Sequence, residues 1–158
     1  MRFFIHNTTR AALLLVRDIE RENIGLTLDF WHCLMATENP AQTSVLKGQE
    51  GKHFIVQLND GFVKPGCEDD LALGTVHPRM TLEFIYWLRR LDYQGHIYFD
   101  TFLINEDPVR EAEHNIRLYK KWRKFASVID ENGIEELLIK QDKMAILELL
   151  EGQWNLQF

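Results

Sequence analysis

Three apolar stretches constrain this chain most. Ile24 to Phe30, His53 to Asn59 and His96 to Asp100 each read as a β-strand, and each is followed by a stretch of helical character. Strands alternating with helices imply right-handed crossovers and a parallel sheet. Each strand also stops in polar residues: Asp29, then Gln57-Leu58-Asn59-Asp60, then Asp100. In parallel α/β sheets the chemistry sits beyond the carboxyl ends of the strands. The same rule operates three times here, which outweighs any single residue.

The helices follow from their caps and stripes. Asn7, Thr8 or Thr9 is expected to cap a helix running to about Glu20, with Ala11, Leu14, Leu15 and Ile19 as its apolar stripe. Pro40 after Asn39 suits a helix to about Lys47, which Gly48 and Gly51 break. A loop from Asp60 to His77 carries the acidic run Glu68-Asp69-Asp70. Thr81 is the expected cap of the next helix, whose Tyr86 and Trp87 read as core, and Gly95 ends it. Glu106-Asp107-Pro108 opens a long helix to about Ile129, with Ile116, Tyr119 and Trp122 on one side. Asn132 and Gly133 separate it from a last helix of about Ile134 to Leu150. Arg2 to His6 is a short strand or the tail of one.

The 158 residues read as one α/β domain, 1–158, with no internal boundary. Eighteen basic against 24 acidic residues leave a net charge of −6, which argues against nucleic-acid binding. No apolar run is long enough for a membrane span, and the N-terminus is too soon polar for a secretory signal. Two cysteines, Cys33 and Cys67, without C-x-x-C spacing fit a reducing cytoplasm.

Each polar strand end has an ordinary structural role and a functional one. Asp29 and Asp100 can cap the next turn, the commoner role of an aspartate there, or hold a cation. D-x-x-H, Asp29 and His32, is a weak motif whose mixed oxygen and imidazole donors suit Mn²⁺, Co²⁺, Zn²⁺ or Mg²⁺. Three adjacent acids repel one another unless solvent or a cation sits among them. Cys33 reads as an inert thiol. No phosphate-binding glycine loop and no recognisable nucleophile setting occurs.

"NIGLTLDFWHCLMATENPA", "VQLNDG", "EDDLALGTVH" and "TLEFIYWLRRLDYQGHIYFD", in that order, resemble the sugar isomerases and epimerases of the xylose-isomerase-like TIM-barrel superfamily. The rhamnose-isomerase-like members are the nearest in pattern, over about residues 7 to 125. The resemblance implies aldose–ketose isomerisation or ketose epimerisation of a small-molecule sugar, assisted by divalent metal. It places metal ligands at Asp29, His32, Gln57, Glu68, Asp70 and Asp100, and substrate contacts at Trp31 and Asn59. It assigns no general base.

Gln57 stands where the family has histidine, and Trp31 where it favours a small residue. An amide oxygen is a weaker ligand, so metal affinity should fall. His53, expected on the same face as Gln57, lies roughly 13 Å back along the strand. A metal-binding glutamate of the family lies on a strand upstream of what corresponds to Arg2. A closed barrel needs eight strands and about 250 residues. The expected fold is therefore a partial (β/α) TIM barrel, the C-terminal half, with extra terminal helices. Its open edge and inner face call for a homo-oligomer or a separate N-terminal half. The alternative function is a non-catalytic barrel remnant or interaction module that keeps the fold without the full metal site.

Overall fold

The structure, a computed structural model, describes residues 8–64 and 69–157, with side chains through Trp154. The order is α1 (Thr9–Ile19), β1 (Leu26–Asp29), α2 (Phe30–Met35), α3 (Pro40–Gln49), β2 (His53–Leu58), α4 (Pro78–Arg90), β3 (His96–Phe99), α5 (Pro108–Glu131), α6 (Ile134–Lys140) and α7 (Lys143–Gln157). The strands form one parallel sheet in the order β1-β2-β3. The α/β alternation expected from the sequence is present. Arg2 to His6, expected as a short strand or the tail of one, lie outside the described residues.

Prolines open three of the helices, where a missing N–H costs nothing. Asn39 caps α3 through Gln42 N, and Asp107 caps α5 through Arg110 N. The start of α4 differs from expectation. Pro78 fixes it one turn early, leaving His77 at the cap position and Thr81 fully buried inside the helix.

Leu28, Val56 and Leu58 on the sheet pack with Phe84, Ile85, Trp122 and Phe125 from α4 and α5 into one core. The opposite face of the sheet is open. Thr27 and His96 are exposed, Tyr98 is 43% exposed, and Ile55 and Gln57 are half-buried. A bulge between Leu26 and Thr27 shifts the alternation at the start of β2. It turns His53 away from the side of Gln57 and buries it beside Ser44 of α3 and Tyr93.

Three further expectations are corrected. In α1 the buried residues are Thr9, Leu13 and Val16, while Leu14, Leu15 and Ile19 are exposed. Thr9 donates to the Glu38 carboxylate from both its N–H and its hydroxyl, and this fixes the rotation of the helix. In α5 the inward face runs through Asn115, Trp122, Phe125 and Ile129, with Ile116 outward. The final helix is two: Gln141 takes a left-handed φ of 54°, and Asp142 restarts the chain by accepting from Ala145 N.

Candidate functional site at the carboxyl ends of the strands

Asp29 closes β1 and caps the short helix α2. Its Oδ1 accepts from His32 N at 2.9 Å, the ordinary role of an N-cap aspartate. Asn59, fully buried just past β2, donates from Nδ2 to both Asp29 oxygens at 3.2 Å. Its Oδ1 accepts from Trp31 N at 3.0 Å. The amide thereby locks the ends of two strands together. Burial pushes the Asp29 carboxyl above its ordinary pKa, against the pull of the His32 and Asn59 hydrogen bonds, and the charge of Asp100 adds to the rise.

Gln57 is the cross-strand partner of Asp29. Its Nε2 donates to Asp100 Oδ2 at 2.8 Å. Asp100 is held beside β2 by its own N–H, which donates to Leu58 O at 3.1 Å. Asp29, Gln57 and Asp100 therefore follow one another across the ends of all three strands.

The other sequence candidates sit differently. His32 is exposed, with its ring 5.7 Å from that of Trp31. Trp31 is 1% exposed and belongs to the core. Its indole lies against Gly61, where a Cβ would stand 2.7 Å from Nε1. Glu68 and Cys67 lie outside the described residues. Asp69 accepts from Phe62 N at 2.8 Å and faces Lys64 Nζ at 4.0 Å, so one acid of the run closes its own loop. Asp70 has a left-handed φ of 42°, and its carbonyl accepts from Phe102 N, joining this loop to the one after β3.

Two carboxylates and the Oε1 of Gln57 are hard oxygen donors, the chemistry of Mg²⁺ or Mn²⁺ rather than of a nitrogen- and sulfur-bound Zn²⁺. The set is short of a complete shell. Among the described residues no three His, Cys, Asp or Glu side chains group closely enough to hold an ion.

In the sequence Asp60 and His77 stand only as the two ends of the acidic loop. Together they form a densely hydrogen-bonded polar pair. The buried Asp60 accepts from Gly61 N and His77 Nδ1 through Oδ1, and from Val76 N and His77 N through Oδ2, all at 2.8 Å. The signal in the sequence was Asp60-Gly61, a carboxylate followed by a residue that tolerates a tight turn.

Three buried groups carry shifted ionisation. Lys47 donates from Nζ to Thr27 O at 2.9 Å, and burial lowers its pKa. The Cys33 thiol is pushed up to about 12 by burial, which leaves it unreactive. Burial, with the charge of Lys47 behind it, lowers His53 to about 4. The unfolded state therefore binds more protons between that value and about 6.5, and stability falls as pH drops through this window. The predicted loss is about 3 kcal/mol by pH 4. His53→Gln, which cannot titrate, should flatten the acid limb of a urea-denaturation series; an unchanged slope would place the proton elsewhere.

No helix among the described residues is long and apolar enough to cross a membrane. No family model matches the chain, and no curated protein matches it.

Proposed function

We propose that the chain is a metal-dependent sugar isomerase or epimerase module built as part of a (β/α) barrel. The observation that supports this most directly is the row Asp29, Gln57 and Asp100 at the carboxyl ends of three parallel strands, where such barrels keep their chemistry. The residues that would hold a divalent ion are Asp29, Asp100 and, through Oε1, Gln57. The ion would polarise the oxygens of a sugar. The chain's own residues do the positioning: Asn59 fixes the Asp29 carboxylate, and Asp60 fixes the loop that follows.

The second reading, a barrel remnant that binds without turnover, is favoured by one observation. The amides of Asn59 and Gln57 already satisfy the two carboxylates by hydrogen bonding. Calorimetric titration with Mn²⁺ separates the readings. An isomerase module should give heat that Asp100→Asn removes while the circular dichroism spectrum stays unchanged. Asp29→Ala should remove it as well, with a loss of stability of about 2 kcal/mol or more, from the vacated helix cap and the orphaned Asn59 amide. Absence of Mn²⁺ heat in the unaltered chain would leave the remnant reading, and turnover of a ketose panel would exclude it.

A further inference from the structure

The helix layer leaves a space that the described side chains do not fill. Gln141, with its left-handed φ of 54°, breaks the C-terminal helical segment, and α7 folds back onto α5 and α6. Between α7 and α4 a cavity of about 500 Å³ remains. Sites that take small molecules run from roughly 300 to 1,000 Å³. The walls are apolar: Leu82 of α4, Ile129 of α5, Ile134 of α6, and Ile146 and Leu150 of α7. Two indoles, Trp87 and Trp154, line it as well.

Tyr86 stands apart in this lining. It is 4% exposed, yet among the described residues its hydroxyl has no hydrogen-bond partner. A buried phenol ordinarily finds one. The hydroxyl both donates and accepts, so a ligand's oxygen or N–H group can meet it. Flat rings suit the neighbouring aromatic side chains, which favour stacked or edge-to-face contact. Trp87 already meets Tyr86 edge to face at 5.6 Å, and Trp154 meets Phe125 the same way at 5.6 Å.

The charges narrow the ligand further. The charged side chains of the lining are Arg79, Glu83 and Glu151, all exposed. Two carboxylates against one guanidinium leave a surplus of negative charge, on a chain whose net charge is −6. An anion is repelled from such a mouth, and a neutral or positive molecule is not. A cation beside an indole gains from the ring as well. We propose that this cavity is a binding site for a neutral or cationic aromatic small molecule, with its rings against Trp87 and Trp154 and its polar group on the Tyr86 hydroxyl. The site goes beyond the isomerase reading and stands whether or not that reading holds.

Two probes share the same rings and differ in charge: N-phenylnaphthylamine, which is neutral, and its sulfonated analogue anilinonaphthalenesulfonate. Fluorescence titration of each with the whole chain tests the inference. The expected result is one site per chain for the neutral probe, with a Kd on the order of 100 µM or tighter. The sulfonate should bind at least about tenfold more weakly. The neutral probe should also raise the midpoint of urea unfolding, as a ligand of the folded state must. Tyr86→Phe removes a hydroxyl that the fold leaves unpartnered. It should weaken the neutral probe about threefold to tenfold and leave the unfolding midpoint of the free chain unchanged. Leu138→Trp, at a lining position that is 41% exposed, puts an indole into the space and should abolish binding. Glu151→Lys should bring the sulfonate up to the affinity of the neutral probe. No binding of the neutral probe to the whole chain would overturn the inference, with the space closed or filled by the protein itself. Equal or tighter binding of the sulfonate to the unaltered chain would overturn it through the charge. Full affinity in both Tyr86→Phe and Leu138→Trp would overturn it too, since the probe would sit elsewhere.

Discussion

Asp60→Ala is expected to destabilise the fold by about 4 kcal/mol or more, a large part of the roughly 5–15 kcal/mol that holds a domain of this size together. The carboxylate takes four hydrogen bonds, three from backbone N–H groups and one from the His77 ring. Alanine removes every acceptor at once. The donors of Gly61, Val76 and His77 then lose their partners in a site where the carboxylate is wholly shielded from water. Each orphaned donor costs about 1–3 kcal/mol, and the sum is less than additive because the loop relaxes. The consequence is also local. The segment between Asp60 and His77 is tied at one end by the bridge of Asp60 to Leu71 and at the other by this carboxylate. Limited proteolysis should cut within it before global unfolding. Asp60→Asn keeps one acceptor oxygen and should fall between alanine and the parent. Urea unfolding gives the magnitude, and a midpoint for Asp60→Ala equal to the parent's would show that the loop is held by other contacts.

The sequence made the alternation and the strand ends legible because both are local. Leu28, Val56 and Leu58 are apolar where the sheet meets its helices, and Asp29 and Asp100 are charged where it stops. Caps such as Asn39 and Asp107 were readable for the same reason: their bonds reach only three residues. What escaped depends on distant partners. The apolar stripe of α1 suggested one rotation, but the bond from Thr9 to Glu38, 29 residues away, sets another. Asp29 was readable as a cap or a ligand, and only Asn59 coming from the neighbouring strand shows that it is clamped. The orientation of His53 was lost to a bulge, which inserts one residue and leaves no mark in the apolar pattern. Asp60 and His77, 17 residues apart, carry no spacing that marks them as partners.

On the proposed metal-site reading, Gln57→His is expected to raise affinity for Zn²⁺ and Co²⁺ by about tenfold to a hundredfold, about 1.4–2.7 kcal/mol. The position sits between the two carboxylates: it is paired with Asp29 across the strands and reaches Asp100 with its side chain. The glutamine amide acts there mainly as a donor. Its Nε2 occupies an Asp100 oxygen that an ion would otherwise claim, so metal must displace a hydrogen bond before it binds. Imidazole in its neutral form offers a nitrogen lone pair instead, and borderline metals prefer that donor to a carboxamide oxygen. The substitution should also shift the order of preference, with Zn²⁺ and Co²⁺ gaining more than Mg²⁺, which takes oxygen ligands in either variant. Because histidine must lose its proton to bind, the gain should grow as pH rises through about 6.5 and shrink below it. Competition titrations with the three metals at two pH values would read both effects. Equal affinities for the parent and Gln57→His across the series would mean that residue 57 does not face the ion, and that the carboxylates at this rim are held together for the fold alone.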